Sequence, residues 1–213
     1  MDISSIISAN GPFFSIVFLC MSFAGVGLVV WRIISNARAK TNVDKFVADL
    51  EAQLANGGGQ AVMDLCAREA TETRQIVPKL FHAAMTDGAR GKIAARDAMA
   101  DCIEMEIMPS LHNLLPHILL LAKVSPMVGL LGTVWGMINA FQTIAGATKV
   151  DPSALANDIG MALFTTAEGL LIAIPLIFAY TLLKERVHSF ELDLARASQA
   201  AIKLLPQVYR KTS

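Results

Sequence analysis

Residues 159–183 read IGMALFTTAEGLLIAIPLIFAYTLL, a run with a single charge, Glu168. A helix over this run would be roughly 37 Å long, more than the hydrocarbon core of about 30 Å that it would have to cross. Working outward, residues 124–146, VSPMVGLLGTVWGMINAFQTIAG, contain no charge, and neither do residues 12–31, PFFSIVFLCMSFAGVGLVVW. Three such runs predict an all-α membrane protein with three transmembrane helices. Trp31 and Arg32 close the first as an interfacial ring and a snorkelling cation. The first run is not a cleaved leader by its pattern. Its only early charge is Asp2, and Arg32, Arg38 and Lys40 follow the apolar stretch instead of preceding it.

Composition agrees. The hydrophobic set makes up 54% of the 213 residues and charged residues 17%, segregated between the runs. The net charge of zero gives no basic field for nucleic acid. Cys20, Cys66 and Cys102 are far apart, with no spacing that would hold a metal. His112 and His117 are five apart, wrong for one helical face, and no nucleophile elbow, zinc-protease or phosphate-loop motif occurs. The expectation is a protein that is not an enzyme, without metal or cofactor.

The expected organisation is a short outer N-terminus (1–11), helix one (12–31), a cytoplasmic helical region (32–123), helix two (124–146), an outer connection (147–158), helix three (159–183) and a cytoplasmic helical tail (184–213). Orientation follows from the basic residues. With the N-terminus outside, all 18 Lys and Arg except Lys149 fall inside. In the polar region, Val43, Phe46, Val47, Leu50 and Leu54 have helical spacing, and Gly57-Gly58-Gly59 should break that helix. Pro78 can start another helix, and Lys92 begins a longer one to Met108. Pro109 and Pro116 should interrupt or kink the chain beyond Met108. Asp97, Asp101 and Glu104 have helical spacing and read as a solvated face.

Inside the runs, Gly129, Gly132, Thr133 and Gly136 share one face of helix two, with Gly132 and Gly136 as a GxxxG pair. Small residues let a second backbone approach closely in lipid, and a neighbouring chain as well as helix three is the expected occupant. In helix three, Ala162, Thr166, Gly169 and Ala173 form a second small-residue face. Thr165 and Glu168 lie one turn apart on another. Pro175 should kink the helix and release the Leu171 carbonyl. A mid-membrane aspartate costs about 2.5–3.5 kcal/mol on insertion scales, and a glutamate should be comparable. Glu168, with Thr165, is therefore a candidate ion or interface site, or a neutral acid bonded to a neighbouring helix.

These residues carry a resemblance. GLLGTVWGMINAF in helix two and ALFTTAEGLLIAIP in helix three, in the order one helix, polar region, helix pair, resemble the MotA/TolQ/ExbB proton-channel family, closest to its ExbB/TolQ branch. The detailed match covers about residues 125–180. The resemblance implies a homo-oligomeric ring, commonly a pentamer, in the bacterial inner membrane. It implies a pore lined by helices two and three around the single helices of an ExbD- or TolR-like partner. That partner's membrane aspartate would carry the proton, and a TonB- or TolA-like energy transducer would receive the work. On this resemblance Thr133 and Thr166 match the pore threonines. It also implies a glutamate at the position of Met161, whereas this chain places its carboxylate at Glu168, seven residues later on nearly the same face. A sodium-driven stator-type channel and a non-conducting membrane scaffold are the alternatives.

Overall fold

The computed structural model describes residues 11–72, 75–146 and 152–210. Every element among them is helical: α1 (Gly11–Ala39), α2 (Val43–Glu72), α3 (Ile76–Asp87), α4 (Lys92–Cys102), α5 (Met108–His112), α6 (Leu115–Gly146) and α7 (Pro152–Arg210). The expectations for residues 1–10 and 147–151, Lys149 among them, lie outside the described residues. α1, α6 and α7 belong to the three stretches long and apolar enough to cross a membrane.

The chain divides into two units. The first comprises the described residues of Met1–Arg32 and of Leu114–Leu183. Its burial is that of a protein dissolved in lipid, because the most apolar windows of its long helices are only 22–28% buried. On α1, Phe14, Phe18, Met21 and Gly25 turn inward at helical spacing, while Phe13, Ile16, Leu19, Phe23 and Val26 face out. α6 exposes Met127, Leu130, Leu131, Val134 and Trp135, and α7 exposes Leu170, Leu171, Ile174 and Phe178. Apolar area this continuous would not be left open to water, and hydrocarbon covers it at no such cost.

The second unit comprises Ile33–Asn113 and the described residues of Lys184–Ser213. It has a conventional core. Along α7, Val187, Phe190, Leu194, Ala197, Ala201, Leu204 and Val208 are buried in alternating steps of three and four, the seam of a helix packed along its length. α3 supplies Val77, Leu80, Phe81, Ala84 and Met85, and Phe81 meets Phe46 of α2 edge-to-face at 5.4 Å. The Tyr209 hydroxyl donates to the Met85 carbonyl, and Gly88 lies directly against Leu205 and Tyr209.

Several boundaries differ from expectation, and one agrees. The glycine triplet does break the helix, as expected: Gly58 takes φ 75°, ψ −170°, which a side chain would resist, so α2 is two helical segments meeting at a kink. The helix from Lys92 does not run evenly to Met108, because Ile103–Ile107 form a π-helical turn. Pro109 and Pro116 do not break helices. Each sits in the first turn of one, where its missing N–H costs nothing. The break lies between them, where Leu114 holds φ 67°. Residues 152–158, read as outer connection, are already helical, with Pro152 as the first helical residue. At its other end α7 continues into the tail without interruption to Arg210.

Candidate functional site in the paired spans

α6 and α7 run antiparallel in the first unit and meet through glycines. A β-carbon on Gly169 would lie 2.6 Å from the Ser125 carbonyl oxygen and 3.2 Å from Gly129 Cα. One on Gly129 would lie 2.9 Å from the Thr165 carbonyl oxygen and from Thr166 Cα. One turn on, Gly132 faces Thr165, whose Cβ would be 2.7 Å away. Gly136 faces Ala162, whose Cβ would also be 2.7 Å away. The two backbones therefore touch, and no residue larger than glycine fits without separating them. The GxxxG face is filled by this chain's own third span. Helix three is thus one of the two occupants expected for it, and the seam is intrachain.

The seam corrects the assignment of the two adjacent threonines. Between residues 159 and 180, Ala162, Thr165, Gly169, Ala173 and Leu176 are the buried positions of α7, so Thr165 lies in the small-residue face and Thr166 at its edge. The Thr165 hydroxyl donates to the Ala162 carbonyl at 2.7 Å and approaches the Gly129 carbonyl at 3.4 Å. Thr166 is half-buried at the seam's edge and donates to the same Gly129 carbonyl at 3.1 Å. Thr133 is half-buried on α6, and its hydroxyl donates to the Leu130 carbonyl at 2.7 Å. Ser125 is fully buried and donates to the Leu121 carbonyl at 2.7 Å, next to Pro126, which removes the helical donor for the Ala122 carbonyl. Pro175 is exposed on α7 and Glu168 is half-buried.

Both Thr133 and Thr166 thus spend their single proton on a backbone carbonyl and present lone pairs outward. A hydroxyl in this state accepts from a protonated acid. It can donate to an ionised one only after rotating off its carbonyl. That rotation forfeits about 0.5–1.5 kcal/mol, while the carbonyl keeps its helical N–H.

An apolar cavity of about 580 Å³ opens beside the seam, lined among others by Phe13, Phe14, Leu131, Trp135, Asn139 and Met161. Sequence reasoning did not find it, because its walls come from all three spans. Met161 shares this wall with Asn139, and the Asn157 amide donates to its sulfur at 3.8 Å.

The fold and site define a polytopic α-helical membrane protein whose second and third spans form a glycine-packed hairpin bearing hydroxyls and one carboxylate. The model of the MotA/TolQ/ExbB proton channel family matches residues 72–196. The Tol-Pal system protein TolQ of Haemophilus influenzae is 33% identical over 174 residues, 76% of this chain and 73% of that protein. The biopolymer transport protein ExbB of Neisseria gonorrhoeae is 38% identical over 88 residues, 41% of this chain and 40% of that one. The solved C. jejuni MotAB structure superposes with a TM-score of 0.63 over 98% of this chain and 79% of that chain; at 16% identity this shows the fold. The chain belongs to the MotA/TolQ/ExbB proton channel family.

Proposed function

We propose that this chain is an inner-membrane motor subunit. Copies form a ring, a pentamer on the family's pattern, with the N-terminus outside and the second unit in the cytoplasm. The α6–α7 hairpins line a central path that holds the single helices of an ExbD- or TolR-like partner. That partner's membrane aspartate takes up and releases protons, and the cycle drives work in the periplasm or at the outer membrane, as TonB-dependent biopolymer transport or envelope maintenance.

The observation that carries this reading is the state of Thr133 and Thr166. Among the leucine, isoleucine and phenylalanine side chains of these spans, both are half-buried hydroxyls whose protons are already given to backbone carbonyls, leaving them acceptors for a further donor. A partner carboxyl arriving protonated finds acceptors. After losing its proton it finds donors, once the hydroxyls rotate. Both charge states are solvated at the same place, which a carboxyl cycling inside lipid requires. The glycine seam supports the same reading by fixing the two helices at backbone contact, so the hydroxyls keep their positions.

The test is to co-express the full chain with a single-helix partner carrying a membrane aspartate. A photoreactive residue is placed at Thr133 or at Thr166, and the intact mass of the purified assembly is measured. The reading predicts several copies of this chain with the partner captured from both positions. A chain that purifies alone as a monomer, or capture from exposed Leu130 equal to that from Thr166, would overturn it.

A further inference from the structure

The helix pair gives no role to the acidic run of the second unit. Ile93, Asp97, Asp101 and Met105 recur every fourth residue along the helical run that starts at Lys92, with Glu104 beside them. All are on the surface, and the ridge's apolar ends are almost fully open, Ile93 at 77% and Met105 at 73% exposed. Roughly a third of a turn around the same helix lies a groove of about 430 Å³. Met99, Ile103 and Ile202 form its apolar lining, and exposed Arg96 and Lys203 stand at its edge. Among the described residues, none of Arg96, Lys203, Asp97, Asp101 and Glu104 forms an ion pair within the chain.

The two surfaces complement each other. An acidic ridge with apolar ends matches a basic-edged groove with an apolar floor in both charge and hydrophobicity. Yet both are built on one helix and face different directions, so a single chain cannot bring them together. We propose that the groove of one copy receives the Ile93–Met105 ridge of the next. Such a contact uses two different patches, one per copy. It is therefore heterologous: it cannot give a two-fold dimer, and where its rotation closes it builds a ring. This deepens the ring reading above and rests on it, adding a second, polar belt of contacts outside the membrane spans.

The test uses the full chain, purified in detergent. Asp101→Cys and Gln199→Cys, the latter at the groove, are combined in a chain with Cys20→Ser and Cys102→Ser and oxidised, with each single variant in that background as control. The proposal predicts a covalent ladder of chains from the pair and none from either single variant. The double reversal Arg96→Glu with Lys203→Glu should lower ladder yield on the order of tenfold, more at low salt than at high salt. Adding Asp97→Lys to that background (in the paired-cysteine chain) should restore it. Circular dichroism and closed-state protection of buried Cys66 from alkylation report that each variant is folded. A multimeric wild-type assembly with no ladder, or a ladder indifferent to the reversals, overturns this contact and leaves the ring reading standing. A wild-type chain that is monomeric overturns the ring reading itself.

Discussion

Gly169→Ala is the perturbation whose cost follows most directly from the α6–α7 geometry. Its β-carbon would stand 2.6 Å from the Ser125 carbonyl oxygen, 3.2 Å from Gly129 Cα and 3.3 Å from Gly129 N. Ordinary contact between such atoms begins near 3.4 Å, and the obstacles are backbone, so no rotamer relieves them. The seam must open by the better part of an ångström. Overpacking of this kind costs about 1–3 kcal/mol. The opening also stretches the 3.1 Å bond from Thr166 to the Gly129 carbonyl, adding roughly 0.6–1 kcal/mol. Alanine's better helix propensity returns at most about 1 kcal/mol. Gly27→Ala is the matched control, because nothing lies within 4 Å of its β-carbon position. Equilibrium unfolding in mixed micelles at fixed composition should show Gly169→Ala destabilised by about 1–3 kcal/mol, with Gly27→Ala unchanged or more stable. Equal shifts in the two variants, or a Gly169→Ala chain as stable as wild type, would refute the seam.

Three further outcomes are expected. Thr165→Val keeps the shape that fills the Gly132 face and loses the bond to Ala162 and the longer approach to Gly129, so it should cost about 1 kcal/mol and leave proton-driven work intact, measured by micelle unfolding and by growth under a proton gradient. Gly88→Ala should destabilise the second unit by about 1–3 kcal/mol, because its β-carbon meets Leu205 and Tyr209, and Tyr209→Phe by about 1 kcal/mol through the lost bond to Met85; denaturant titration of the full chain reads both. Burial pushes the Cys66 thiol up from 9.0 to about 12. The unfolded thiol ionises first as pH rises, so this contribution is complete below about pH 9. It is lost at roughly 1.4 kcal/mol per unit towards pH 12, a slope that Cys66→Ala should remove from a pH series of unfolding curves.

The three spans were legible because they rest on length and the absence of charge, which no tertiary contact can alter. The small residues of α6 were legible for a related reason: only close approach of another backbone explains Gly129, Gly132 and Gly136 on one face. What occupies that face was not. Thr165 and Thr166 are neighbours 100° apart, and which of them enters the seam depends on the rotation of α7 about its axis. Contacts such as Gly169 against Ser125 set that rotation, and periodicity within one helix does not contain it. The π-helical turn at Ile103–Ile107 has no residue signature of its own. The early start of α7 was hidden by Pro152, which reads as a loop residue yet is well tolerated at a helix start.

The most direct test of the central claim is proton flux into liposomes containing this chain and a single-helix partner with a membrane aspartate. Wild type, Thr166→Ser and Thr166→Val are compared at equal assembly. If the Thr166 hydroxyl solvates a proton-carrying carboxyl, Thr166→Ser should retain most of the flux, and Thr166→Val should lose at least roughly tenfold while its intact mass is unchanged. A Thr166→Val assembly conducting as well as wild type would contradict the account.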